Sequence, residues 1–259
     1  MYHPPMLLQG KKGLVLNITN EKSIGWAVAE YANRQGATVG VGAQAERTLK
    51  NVNELIQGKE RYDAFTIDFA IEEQFEQLRA EVEKKYGKID FLVHSAAFAP
   101  KDGLQGKFMD VSLESFQTSL AVSCFSLVQL CKALEPVMND NASVMTMSYL
   151  GSVRACRNYN VMGVAKAALE SAVRYLAVDL GPRGIRVNTI SPGPMNTVAA
   201  RGVKGLLDMI NYVADTAPLK RAAVQEDVGG AAVFLMSDLS KGVTGQVIYV
   251  DAGYNIVAL

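Results

Sequence analysis

One feature constrains this chain more than any other. Short apolar runs alternate with longer stretches whose apolar residues recur at helical spacing, and the alternation continues almost to the end. The first run, 13–17 (GLVLN), predicts a strand. Residues 23–35 follow as a helix, with Ile24, Ala27, Val28 and Tyr31 on one face and Gly36 placed to end it. Strands are then expected at 38–42, 64–68 and 89–95, with a helix at 72–86 stopped by Gly87. The stretch 113–138 reads as one long or broken helix, 143–149 as a strand, 160–180 as a helix and 186–191 as a strand. A less regular segment, 192–218, carries a short amphipathic helix near 204–213, before a helix at 226–236 and a last strand at 246–251. Strands that alternate with helices pair in parallel through right-handed crossovers and cover both faces with helices. No linker, repeat or low-complexity stretch interrupts the pattern. The expected fold is therefore one α/β domain spanning 1–259, a doubly wound sheet of seven parallel strands.

The chain's 26 basic and 26 acidic side chains cancel, with no run of either sign. That balance offers no electrostatic footprint for nucleic acid or for an anionic membrane surface. Cys124, Cys131 and Cys156 show no C-x-x-C spacing and are expected as reduced, packed thiols. The opening MYHPPMLLQGKKG lacks the apolar core of a signal peptide, and no run reaches the ~20 consecutive apolar residues of a membrane span. The expectation is a cytoplasmic protein with neither nucleic acid nor membrane as partner.

In a sheet of this kind ligands bind beyond the carboxyl ends of the strands, where strand order reverses. The first strand runs into NITNEKSIG and a helix, so a pyrophosphate there would meet free backbone N–H groups and the positive end of the helix dipole. Ser23 is placed to cap that helix, Ile24 opens it, and Gly25 permits close approach. Asn17 holds a position where glycine is usual, and no G-x-G-x-x-G is present, so the loop alone is a weak signal. Gln44, after the second strand, falls near an adenosine ribose; it is neutral, and Arg47 nearby keeps NADPH open beside NADH. Asp68 is placed to accept from an adenine amino group or to cap a helix, with the apolar face of Phe69 beside it. Ser95 and Ala96, after the fourth strand, are small enough for a cofactor to approach the backbone.

The most informative stretch is SYLGSVRACRNYNVMGVAKAALE. Tyr159 and Lys166 are seven residues apart, nearly two helical turns, which on a continuous helix places them near one face. An ammonium beside a phenol supports negative charge developing on a carbonyl oxygen, and Lys166 is also suited to hold ribose hydroxyls. Tyr149 ends the preceding strand and brings a second phenol to the same place.

With these residues in view, YNVMGVAKAALE, the preceding SYLG, ISPGPMNTVAARG, the C-terminal EDV-to-GQVIYVDAGY, SIGWAVA and HSAAFAP together resemble bacterial enoyl-(acyl-carrier-protein) reductases of the short-chain dehydrogenase type. The resemblance covers essentially the whole chain, and Tyr-x6-Lys is its most specific element. It implies a Rossmann-type fold and an oxidoreductase of type II fatty acid biosynthesis, reducing the C2–C3 double bond of trans-2-enoyl thioesters carried on acyl carrier protein or coenzyme A. It implies that Tyr159 bonds the thioester carbonyl, that Lys166 binds the ribose, and that Tyr149 and Ala99 line the substrate site. It also implies cofactor contacts from Ser23, Ile24, Gln44, Asp68, Phe69 and the loop Met195, Asn196, Thr197, Val198 and Ala199, and a homotetramer. Asn17, Ala96 and Pro192 depart from the family pattern. Segment 194–213 is expected to be a mobile lid, with subunit packing as its alternative.

Two other functions stay open at this level. One is a ketone or alcohol reductase on the same scaffold, which the spacing disfavours because Met162 stands four residues before Lys166 where Tyr-x3-Lys would need a tyrosine. The other is a non-catalytic nucleotide-binding regulator, favoured by Asn17 and opposed by the Tyr159/Lys166 pair. His3 and His94 are expected to be structural rather than catalytic.

Overall fold

In the computed structural model, which describes residues 6–197, 200 and 204–257, the apolar runs form a single parallel sheet of seven strands in the order β3-β2-β1-β4-β5-β6-β7. The strands are β1 (Lys12–Leu16), β2 (Thr38–Ala43), β3 (Tyr62–Thr66), β4 (Ile89–His94), β5 (Met138–Met147), β6 (Arg186–Pro192) and β7 (Val247–Val250). The central strands are buried on both faces, as continuous apolar runs require. Strand order reverses between β1 and β4, which opens a crevice at their carboxyl ends.

Nine α-helices are described: α1 (Ile24–Arg34), α2 (Glu46–Ile56), α3 (Glu73–Tyr86), α4 (Lys101–Leu104), α5 (Leu113–Leu120), α6 (Ser126–Leu134), α7 (Val161–Leu180), α8 (Leu206–Thr216) and α9 (Gln225–Met236). One core joins the sheet to α3, α6 and α7 through residues such as Leu78, Leu130 and Leu169, all essentially inaccessible. A second, on the opposite face, joins it to α1, α2 and α9 through Trp26, Val52 and Val228. The chain ends α1 through Gly36, whose φ of 93° lies in the left-handed region that glycine adopts without a Cβ clash.

Several expectations shift. Helix α2 was not anticipated: its sequence is largely polar, and only a narrow stripe of Leu49, Val52, Leu55 and Ile56 faces the core. Strand β3 starts two residues earlier than the expected 64–68, at the point where Val39 and Tyr62 fall into register. The expected helix 113–138 is broken. Ala121–Phe125 form a π turn between α5 and α6, and the chain leaves α6 at Leu134. Met138 already belongs to β5, which pairs with Ile89 despite the polar Asn139, Asp140 and Asn141, so that pairing with a neighbour overrides local propensity. By length and composition, Leu113–Val137 is the one helical stretch among the described residues apolar enough to cross a membrane. It is instead a core element, with Leu127, Leu130 and Leu134 packed against the sheet.

Candidate active site

The carboxyl edge of the sheet gathers most of the expected residues. The loop after β1 turns at Asn17, whose φ of 68° is left-handed, a conformation asparagine tolerates better than most residues. Its Nδ2 donates to Ser95 O at 3.1 Å, tying the first loop to the end of β4. Asn17 thus adopts the backbone that a glycine would supply. Ser23 occupies the N-cap position of α1 but does not cap it. Its Oγ accepts from Thr19 N at 3.1 Å and Asn20 N at 3.2 Å, so the hydroxyl folds the loop and leaves the first turn of the helix open towards the crevice. A Cβ on Gly25 would lie 2.8 Å from Ser95 Oγ, which is why the helix can seat this close to the strand ends.

Gln44 and Asp68 meet across β2 and β3, Nε2 donating to Oδ1 at 3.3 Å. Asp68 also accepts from Ala70 N at 2.9 Å; it closes a turn ahead of α3 rather than capping that helix. Phe69 is turned inwards, edge-on to His94 at 5.4 Å, so its ring is a core contact and not an exposed apolar face. Ala96 is likewise buried in the core.

A second group lines one cavity of about 390 Å³ at the ends of β4, β5 and β6. Of the expected residues Ser95, Ala99, Tyr149, Tyr159, Lys166, Met195 and Thr197 line it. Asn196, beside them in sequence, is exposed, and Val198 and Ala199 lie outside the described residues. The cavity walls also hold Phe98, Met147, Ser148 and Met162, which the motifs do not assign to the site, together with Leu206 and Met209 of the expected lid helix. Two signals pointed to them: Ser148 ends a strand beside Tyr149, and Met209 lies on the apolar stripe of the expected lid helix. Met162 fills the wall where a Tyr-x3-Lys tyrosine would stand.

Tyr159 is not on the helix with Lys166. It sits in the turn before α7, with Asn158 and Asn160 both at positive φ, and Met162 N donates to Tyr159 O at 2.9 Å. The turn is pressed close: a Cβ on Gly163 would meet Gly151 O at 2.7 Å. The two side chains converge through this turn geometry, not through the helical period alone. The rings of Tyr149 and Tyr159 pack edge-on at 4.8 Å, and Tyr149 Oη donates to Met209 Sδ of α8 at 3.0 Å. Asn158 Nδ2 reaches Lys204 O at 2.9 Å, a second tie between the turn and the segment ahead of α8.

Burial sets the electrostatics. It drives the Tyr159 phenol far above its ordinary pKa, with Tyr149 and Cys156 adding to the effect. Tyr159 is therefore a neutral O–H donor at all working pH values. Tyr149 is raised in the same way, by burial first and then by Cys156. Lys166, 3% exposed, donates from Nζ to Met147 O at 2.7 Å, and burial lowers it to about 8, opposed by Cys124 and Glu170. It still carries its charge at neutral pH. His94 is fully buried and lowered to about 3, by burial first and then by Lys166. Ser126 Oγ gives its proton to Val122 O at 2.7 Å, so it accepts from His94 Nε2–H at 2.8 Å and leaves Nδ1 to accept from Thr146. Both ring nitrogens are used, as a structural role predicts.

The family model described as enoyl-(acyl carrier protein) reductase matches residues 18–255. This chain belongs to that family. The enoyl-(acyl-carrier-protein) reductase [NADH] of Rickettsia typhi is 46% identical over 251 residues, covering 97% of this chain and 96% of that protein. The Nostoc enzyme of the same description is 46% identical over 255 residues, covering 97% and 99%. Among solved structures, the Bacillus cereus enoyl-acyl carrier protein reductase with NADP+ and indole naphthyridinone shares 40% identity at a TM-score of 0.95, covering 98% and 99%. The reductase of Anaplasma phagocytophilum in complex with NAD shares 38% at 0.94, covering 100% and 99%. In this enoyl reductase family member the matched residues 18–255 include both strands β2 to β7 of the sheet and the tyrosine–lysine cavity.

Proposed function

We propose that this protein reduces the C2–C3 double bond of trans-2-enoyl thioesters bound to acyl carrier protein, with NADH as reductant, in fatty acid biosynthesis. The observation that carries the reading is the Tyr159 hydroxyl, held protonated by burial in the same cavity as the buried Lys166 ammonium. The strand ends fit a dinucleotide: an uncapped α1 N-terminus, the left-handed Asn17 and the close approach at Gly25 leave backbone donors for a pyrophosphate. Asn17, Ser23, Ile24, Gln44, Asp68, Ser95 and the loop from Met195 would hold it, Phe69 and Ala96 through their backbones, and Lys166 at the ribose. The Asp68 carboxylate beside Gln44 opposes a 2′-phosphate and favours NADH. When bound, the reduced nicotinamide supplies a hydride to the β-carbon of the substrate.

The chain's own residues stabilise the enolate that hydride addition leaves, and a proton taken from solvent at the α-carbon completes the reduction. Negative charge develops on the thioester oxygen, and a preorganised donor there lowers the barrier. Tyr159, which neither ionises nor takes up a proton, is that donor, and the Lys166 charge supports it from the same cavity. Phe98, Ala99, Leu104, Met162 and Leu206 give the acyl chain an apolar wall. Of the 194–213 segment read as a lid, α8 and the residue Lys204 ahead of it are held by Tyr149 on Met209 and by Asn158 on Lys204 O. Leu113 and Phe125 on the α5–α6 run, with Tyr175 and Val178 on α7, expose apolar surface that supports a homotetramer. The same reading makes it a cytoplasmic enzyme with no nucleic-acid or membrane partner.

The test is spectrophotometric. Loss of NADH absorbance with crotonyl and longer enoyl thioesters, and none with a simple ketone, is the expected result. Turnover of the ketone alone would replace this reading with carbonyl reduction.

A further inference from the structure

Glu170 lies one helical turn beyond Lys166 on α7, and both are buried, 6% and 3% exposed. Residues four apart share a helix face. Each reaches one of two consecutive residues at the end of β5. Lys166 Nζ donates to Met147 O at 2.7 Å, and Glu170 Oε1 accepts from Ser148 Oγ at 2.5 Å. Ser148 lines the cavity and Tyr149 follows it. Two opposite charges on α7 therefore clamp the strand end that presents the catalytic cavity.

Buried charges persist when something compensates them. The groups that face Lys166 come from three elements. His94 on β4 is neutral, and Cys124 on the π turn has its thiol pushed up by burial, which disfavours the thiolate. On α7 itself stands Glu170, whose charge favours the ammonium; from β7, Tyr249 faces Glu170 and is raised first by burial and then by that carboxylate. Glu170 is the one carboxyl among these groups, and it stands one turn from Lys166 on the same helix.

We infer that Glu170 is a positioning residue for the reduction. It keeps the Lys166 ammonium charged and aimed and, through Ser148, sets the strand end beneath Tyr149. The inference rests on the role given to Lys166 above.

The experiment is a pair of pH titrations on the full-length protein, from about pH 6 to pH 10. One follows kcat/KM for crotonyl-coenzyme A with NADH. The other follows the Lys166 Cε resonance by NMR in protein labelled with ¹³C-lysine. In Glu170→Gln both the alkaline loss of activity and the Lys166 titration should move down by about one pH unit, the scale of a single close charge. Ser148→Ala keeps the charge and loosens its anchor, so a smaller downward move is expected. Glu170→Asp keeps the charge and should hold the wild-type titration while kcat falls; it also serves if the glutamine variant fails to fold. An unmoved Lys166 titration in folded Glu170→Gln overturns the inference and leaves the role of Lys166 standing. Wild-type activity and an unmoved alkaline limb in Lys166→Arg would instead remove the reading on which it rests.

Discussion

The two halves of the carboxyl edge treat their polar side chains in opposite ways. At the ends of β1, β2 and β3 the side chains are spent on one another: Asn17 on Ser95 O, Ser23 on the Thr19 and Asn20 amides, Gln44 on Asp68. What that half turns towards a ligand is backbone and a helix terminus. At the ends of β4, β5 and β6, Tyr149, Ser148, Tyr159 and Lys166 line one cavity with their side chains. A phosphate is bound well by fixed N–H groups whatever the residues, whereas a developing oxyanion needs a particular donor at a particular place. The difference teaches that side-chain changes should act sharply on one half, and only through backbone conformation on the other.

Tyr159→Phe should show the largest effect. Losing one oxyanion donor costs about 2.7–4 kcal/mol, or roughly 10²–10³ in kcat, with the fold intact by circular dichroism. Activity near the wild type would erase the contrast between the halves.

Lys166→Met should lower turnover strongly and yet stabilise the protein. Burial lowers the lysine from 10.5 to about 8, so the folded state resists the charge that the unfolded chain accepts. This penalty is complete below about pH 8 and fades as the pH rises towards 10.5. After the lost bond to Met147 O is set against it, a gain on the order of 2 kcal/mol is expected near neutrality. Denaturant unfolding of wild type and variant at neutral and alkaline pH measures it, and a gain that grew with pH would contradict the sign.

On the other half, Asn17→Val forces a β-branched residue into the left-handed region at a cost of about 1–2 kcal/mol, and NADH affinity should fall about tenfold. Asn17→Gly keeps the conformation, and affinity should stay within about threefold of the wild type. Fluorescence titration with NADH decides; equal losses in both variants would mean that the amide, not the backbone, matters there.

The smallest effect belongs to Tyr149→Phe, which removes a weak bond to the Met209 sulfur. KM for long enoyl thioesters should rise about two- to fivefold with kcat little changed, since a single hydrogen bond contributes about 0.5–1.5 kcal/mol net. Faster cleavage of the 194–213 segment by a protease in this variant would sharpen the same point. Unchanged cleavage would count against a latch.

The amino-acid sequence by itself determined the alternation, and with it the parallel sheet, because continuous apolar runs have nowhere to go but between two layers of helices. It also marked Tyr149, Tyr159 and Lys166, whose chemistry is carried by the residue type. Tertiary structure decided what depends on conformation and on neighbours. It broke the expected long helix at a π turn, began β5 within a polar stretch, and turned Phe69 and Ala96 into the core. It brought Tyr159 to Lys166 through two left-handed asparagines instead of a shared helix face, and it placed Glu170 against Ser148. Burial is the physical reason behind the last step: only packing removes the water that would leave a phenol and an amine near their ordinary pKa values, and no local pattern of residues encodes that removal.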